Sequence, residues 1–272
     1  MFETYVINLK KDIKNFYELE KKLIPKGIYP ERFDAVYGKE IKNFDPYNRH
    51  ITNFCKIFCP RGLIGCGLSH YLLLEQIYNQ YQLKTNSSEF SLVLEDDATP
   101  LFKNKKTIEA IIKKMPKDCD ILLLFCQGQC YNNSEKYIKH KSEAIGSTAA
   151  YLIRNSSIPK FLSKKLYTHV DMQWYGSDSN NVYVYNDKNL FSVDNSTSYN
   201  LDGKDKKNII MSTLDKYIEL DNFTFSQSLS YKVFRIPIIG IELTTYDIIV
   251  GLIFIIIVVI LFIYKDRIRN MF

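Results

Sequence analysis

The sequence predicts an α/β protein: a central sheet flanked by helices, with an apolar helix appended near the C-terminus. Three observations carry that reading. Strand-like and helix-like segments alternate through the first half of the chain, as in sheets built with right-handed crossovers. Residues 120–125, DILLLF, form an apolar run of the kind buried on both faces of a parallel sheet. Residues 248–264 carry no charge at all.

Taken in order, residues 4–9 (TYVINL) read as a first strand. Residues 12–24 read as a helix, with apolar positions at Ile13, Phe16, Leu19 and Leu23, stopped by Pro25 and Gly27. A short strand at 32–36 closes at Tyr37-Gly38, and 39–60, rich in Asn, Asp and Pro, reads as loop. A strong helix is expected over 68–81, its start marked by Gly65 and Gly67. The strand 90–94 follows, then a helix over 104–115 ended by Pro116, then the strand 120–125. The second half is less regular: a strand at 149–153, a helix at 157–165 with Pro159 in its first turn, and short strands at 181–185 and 190–193. These divide the chain into a main domain at 1–199, a polar stalk or linker at 200–240, an apolar transmembrane segment at 241–264 and a short basic tail at 265–272.

The apolar run between Ile248 and Tyr264 would span roughly 25 Å as a helix, which suits a thin membrane. A buried core helix is the alternative, but such helices keep a polar face. Lys265, Arg267 and Arg269 behind it would mark a cytoplasmic tail. The start, MFETYVINLKKDIKN, has no apolar signal region, so a tail-anchored protein with its main domain in the cytosol is expected. There the six cysteines would be free thiols, mostly buried; the spacing of Cys55/Cys59 and Cys126/Cys130 is wider than a zinc site normally shows. Sequons at Asn86, Asn132, Asn155, Asn195 and Asn222 would matter only in a lumenal domain. The net charge of +6 is modest, and no basic stripe interleaves with aromatics, so nucleic acid is not indicated as a partner. Low Gly with high Asn, Lys, Ile and Tyr usage suggests an AT-rich genome, such as that of a large DNA virus or a protist.

The chemistry concentrates where the strand FSLVL ends in Glu95, Asp96 and Asp97. Open α/β sheets bind ligands at the carboxyl ends of their strands. In extended chain Glu95 and Asp97 point to one side, and oxygen ligands at that spacing suit Mg²⁺ or Mn²⁺. Such an ion would relieve the repulsion among the acids, hold a diphosphate and stabilise its departure. A surface turn or a helix cap is the plainer reading. Upstream, GLIGCGLSH (62–70) stands at a helix start. Its glycines are consistent with backbone brought close to a phosphate, whereas His70 alone reads as a core histidine as readily as a ligand contact.

VINLKKD (6–12), FDAVYGKEI (33–41), GLIGCGLSHYLLLEQI (62–77) and FSLVLEDDA (90–98), in that order, resemble glycosyltransferase family 25. GSTAAYLIR (146–154) and HVDMQW (169–174) extend the resemblance over about residues 3–195. This family includes bacterial lipopolysaccharide and animal procollagen galactosyltransferases. The resemblance implies a GT-A-like, Rossmann-type fold, a UDP-hexose donor, a protein or glycan acceptor and Mn²⁺ (or Mg²⁺). By it, Glu95 and Asp97 would bind the metal. Val6, Ile7, Asn8, Gly65 and Asp96 would serve the donor, and His70 would orient the acidic strand or the donor. The family is thought to invert the anomeric carbon, which needs a base; Asp171 in the late Val-Asp segment is the candidate, with capping of the helix around Trp174 as its alternative. There are departures: Ile13 follows Asp12 where the family carries arginine, Gly67 stands in place of alanine, and 39–60 has no counterpart. The function expected is therefore metal-dependent hexosyl transfer. A catalytically inactive, membrane-anchored scaffold of the same fold is the alternative. A nucleotidyltransferase or phosphohydrolase is a third reading, which four histidines in the whole chain argue against.

Overall fold

A computed structural model describes residues 2–85, 87–127, 130, 135–140, 147–193, 229 and 231–269. Of the expected polar stalk at 200–240, residues 200–228 and 230 lie outside the described residues, and Lys232–Arg235 form a strand.

Strand β1 (Phe2–Asn8) is central, buried at all but one position, and runs parallel to β2 (Glu31–Asp34) on one side and β3 (Phe90–Glu95) on the other. Between β1 and β2, helix α1 (Ile13–Leu23) buries Phe16, Leu19 and Leu23, the helical stripe seen in the sequence. It ends through a turn at Ile24–Lys26 that closes on Gly27 in the left-handed region, φ 80°. Further along lie β4 (Ala98–Pro100), α4 (Lys105–Lys114), β5 (Ile121–Leu123) and β6 (Tyr137–Lys139). Then come β7 (Ala150–Arg154), the short helices α5 (Ile158–Leu162) and α6 (Val170–Tyr175), β8 (Val182–Tyr185) and β9 (Phe191–Val193).

The main sheet has the order β2-β1-β3-β7-β5-β8-β6 and is mixed, not parallel. Strand β7 runs antiparallel to both β3 and β5, and β6 antiparallel to β8. The apolar run at β5 is buried throughout, as expected, but burial of both faces reports cover and not strand direction. Alternate side chains feed two cores. Tyr5, Ile7, Val93 and Tyr151 face one, with α5, α6 and helix α3 (Arg61–Gln82); Val6, Leu92, Leu94 and Leu152 face the other, with α1 and α4.

Two expectations around α3 are corrected. The helix starts at Arg61, directly after Pro60, so Gly65 and Gly67 lie inside it. Gly65 is there because the loop after β2 crosses it: a Cβ would stand 2.6 Å from the Val36 carbonyl oxygen and 2.7 Å from the Gly38 nitrogen. The supposed loop 39–60 contains a helix, α2 (Asn53–Phe58), capped by Thr52, whose hydroxyl accepts from the Cys55 N–H at 3.2 Å. A third correction concerns the cysteines. Cys55–Cys59 and Cys126–Cys130 are disulfides, and Cys66 and Cys119 are the free thiols. Their Cα separations, 4.6 and 6.1 Å, fall in the disulfide range.

At the C-terminal end, β10 (Lys232–Arg235) and β11 (Glu242–Thr244) form an antiparallel hairpin leading into helix α7 (Thr245–Arg269). The sequence-based boundary at 240 falls in the turn of this hairpin, at Gly240 with φ 69°. Among the described residues no helix is long and apolar enough to cross a membrane, which leaves the expected span unsupported. The apolar part of α7 with described side chains, 248–260 and Phe262, covers about 20 Å against roughly 30 Å of hydrocarbon. From Ile249 on, the apolar side chains among these are exposed, Phe254 by 65 %.

Candidate active site

Because β1 and β3 are parallel neighbours with Ile7 opposite Glu95, their carboxyl ends emerge together. Asn8, the last residue of β1, donates through Nδ2 to Asp96 Oδ2 at 2.6 Å and to the Asp12 carbonyl at 2.9 Å. Asn15 on α1 adds a weaker bond to the same carboxylate oxygen, 3.5 Å away. Burial pushes the Asp96 carboxyl up from its ordinary value; the Asn8 bond opposes this and the neighbouring Glu95 charge adds to it.

Glu95 is held differently. Its Oε1 accepts from the Thr148 hydroxyl at 2.6 Å and lies 3.3 Å from His70 Nε2. Burial opposes the charge on Glu95, but the His70 hydrogen bond and charge and the Thr148 bond together hold its carboxyl below the usual range. His70 is fully buried, and its Nδ1 lies 3.0 Å from the Tyr151 hydroxyl on β7. It is thus a satisfied core histidine and the group that orients the first acid.

Two cavities meet at these acids. The larger, about 290 Å³, is lined by Ile7, Tyr37, Gly65, His70 and all three acids. The smaller, about 80 Å³, contains Thr148, His169, Asp171 and Tyr231. Glu95, Asp97 and Cys66 border both. Asp171 is in the first turn of α6, and its Oδ1 accepts from the Met172 N–H at 2.8 Å. Burial raises its pKa, with the His169 charge pulling the other way. The structure therefore brings Asp171 and Asp97 to one cavity, and the bond to the adjacent Met172 is not a cap, the N-cap of α6 being His169 without a side-chain cap bond.

Of the residues singled out in the sequence, Ile7, Gly65, His70, Glu95, Asp96 and Asp97 reach the larger cavity, and Asn8 touches it through Asp96. Val6 does not: it is 0 % exposed in the core on the other face, because neighbours on a strand point to opposite sides. The glycine at 65 serves a backbone crossing within the protein and needs no phosphate to explain it. Sequence reasoning missed Asn15, Cys66, Thr148, Tyr151 and Tyr231. Four of these lie in or beside segments already singled out; nothing local marked Tyr231.

The donor set can be tested for a divalent cation. Cys66, His70 and Glu95 offer ligand atoms within 4.8 Å of one another, a group that leaves out Asp97. In support of a cation, the acids impose a negative field at the junction: after burial, the charges of Glu95, Asp171 and Asp97 all push the Cys66 thiol up. Hard carboxylate oxygens facing such a field fit Mg²⁺ or Mn²⁺, and a thiol and imidazole beside them would also admit a softer ion.

A sequence profile described as "Glycosyltransferase family 25 (LPS biosynthesis protein)" matches residues 1–174. No curated protein matches the chain. Among solved structures, it is similar to A197 from STIV, with 11 % identity over 71 % of this chain and 84 % of that one, TM-score 0.36. It is similar to a glycosyltransferase involved in glycosylation of the major capsid of PBCV-1, with 13 % identity over 60 % of this chain and 66 % of that one, TM-score 0.33. A third is a Drosophila galactosyltransferase 7 mutant in complex with manganese, UDP-Gal and xylobiose, with 10 % identity over 78 % of this chain and 79 % of that one, TM-score 0.36.

Proposed function

The chain belongs to glycosyltransferase family 25, and on that footing we propose that it moves a hexose, galactose or glucose, from a UDP-sugar to a hydroxyl of a protein or glycan, inverting the anomeric carbon. The observation that supports this best is the meeting of two cavities at Glu95 and Asp97, with Asp171 lining the smaller one. The larger cavity would take the donor, with Ile7 and Tyr37 offering apolar surface to the nucleotide and Asn8 fixing Asp96. Lys39 lines this cavity and would supply positive charge to the donor.

A Mn²⁺ or Mg²⁺ ion, held by Asp97 with Glu95, would supply the positive charge that a departing diphosphate needs. His70 and Thr148 fix the Glu95 carboxylate in advance, so its orientation costs nothing at the moment of reaction. Asp171 would take the proton of the acceptor hydroxyl as its oxygen attacks the anomeric carbon and the bond to UDP breaks. A base across the sugar from the leaving group is what inversion requires.

The exposed apolar surface of α7 and the uncharged run 248–264 support a further proposal, that the chain associates with a membrane through this helix.

The test is UDP release coupled to transfer of labelled sugar from UDP-galactose or UDP-glucose. Asp97→Asn is expected to lower transfer by at least about 10²-fold while the protein stays folded by circular dichroism. Full activity of the wild type in excess chelator would remove the metal from the proposal, and failure to release UDP from either donor would leave the inactive scaffold.

A further inference from the structure

The family match ends at residue 174, yet one wall of the smaller cavity comes from Tyr231, beyond it. We propose that the hairpin β10–β11 is an acceptor-side element of this enzyme, and that Tyr231 positions a saccharide acceptor by packing its ring against the apolar face of the sugar. The inference rests on reading the site as a glycosyltransferase centre.

The hairpin is fastened to the main domain at several points. Glu242 Oε1 accepts from the backbone N–H of Arg61, the first residue of α3, at 2.8 Å. Phe234 stacks on Phe58 of α2 with ring centroids 5.5 Å apart and planes 17° from parallel. Lys232 pairs with Glu242 across the strands at 3.5 Å. The carbonyl of Tyr231 accepts from the Thr245 N–H at 3.1 Å, so the residue is pinned where the hairpin meets α7.

Its side chain is held as well. The hydroxyl donates to Gln127 Oε1 at 3.3 Å, and the ring stands edge-on to His169, 6.1 Å away at 89°. Gln127 follows Cys126, which is joined to Cys130 by a disulfide, and lines the same cavity.

The chemistry of the wall selects the acceptor class. Asp97, Asp171, Gln127 and Thr148 offer hydrogen-bonding groups suited to hydroxyls, and Tyr231 adds one rigid aromatic body with a polar tip. A sugar presents the matching pair of features, a rim of hydroxyls and an apolar face. An extended peptide would instead need a row of backbone partners along a strand edge or groove. A cavity of about 80 Å³ admits the reacting edge of a ring and offers no such row.

The experiment uses the full chain in detergent, with UDP-galactose and UDP-glucose as donors. The acceptor probes are p-nitrophenyl β-galactoside, p-nitrophenyl β-glucoside and a serine- and hydroxylysine-containing peptide. For Tyr231→Ala the acceptor KM is expected to rise about tenfold, and the ratio of transfer to UDP-sugar hydrolysis to fall in step. UDP affinity should stay at the wild-type value even though loss of the His169 and Gln127 contacts lowers the thermal midpoint, and Tyr231→Phe, which keeps the ring, should restore most of the acceptor affinity. Saturation-transfer NMR with methyl β-galactoside reads the same contact without turnover: ring protons saturated by the wild type should lose that saturation in Tyr231→Ala. An unchanged KM and unchanged saturation overturn the assignment, as does a loss of UDP affinity parallel to the loss of acceptor. Transfer to the peptide but to neither glycoside overturns the saccharide class. If no donor releases UDP, the glycosyltransferase reading fails on its own, while the NMR contact still decides whether Tyr231 meets a sugar.

Discussion

Glu95, Asp96 and Asp97 are adjacent in sequence but are set up for different states. Glu95 is held below the usual carboxylate range by His70 and Thr148 against the cost of burial, Asp96 is pushed up by burial despite Asn8, and Asp97 borders both cavities. Asp171 is also pushed up by burial, the direction that brings a carboxylate toward the pH at which a base works best. A general base acts deprotonated, so turnover should fall as pH drops through this raised pKa, giving an acid limb above the ordinary carboxylate range. Asp171→Asn should abolish that limb and lower kcat by about 10²–10⁴-fold, with UDP and Mn²⁺ affinity retained. A pH–rate profile and calorimetric UDP titration check both points; an Asn variant with normal turnover would transfer the role to another acid.

Elements are placed by close approaches that tolerate little change. The loop after β2 crosses α3 at Gly65, where a Cβ would meet two backbone atoms of that loop under 3 Å away. Gly65→Ala should therefore destabilise by about 1–3 kcal/mol, read as a lower urea midpoint with unchanged slope. Donor affinity should fall with it, because the displaced loop carries Tyr37. The hairpin sets the limit of truncation in the same way. A chain ending at 239 loses β11, the Glu242–Arg61 bond and the buried Thr244, and should melt several degrees lower and transfer poorly. A chain ending at 247 keeps them, together with the 2.7 Å bond from the Thr244 hydroxyl to Asp247, and should match the full chain in both assays. Equal behaviour of the two truncations would show that the hairpin is dispensable.

For the whole molecule, the two disulfides bear on location. Such bonds persist in oxidising compartments and are rare in cytosolic proteins, so the redox state of these cysteines is a test of location. Alkylation of the unfolded, unreduced protein followed by mass measurement should therefore modify Cys66 and Cys119 alone. Modification of all six would show the four paired cysteines reduced, as the expected cytosolic domain requires.

Read by itself, the sequence determined the α1 stripe, the β3 strand with its acidic end, the buried β5 run and the ordered segments of the family. Each depends on local periodicity or on a contiguous motif, which neighbouring residues record directly. Only the tertiary structure decided that β7 runs antiparallel between β3 and β5, since side-chain alternation is the same for either direction. It also decided that Val6 faces away from the site while Ile7 faces it, because which of two alternating faces receives the ligand depends on what packs against the sheet. The partners of Glu95 come from 25 and 53 positions away, and Tyr231 reaches the second cavity through a hairpin fastened to Arg61 across 181. Contacts made over such separations leave no periodic trace in the chain, and they are what assemble the acids, the candidate base and the acceptor wall around one junction.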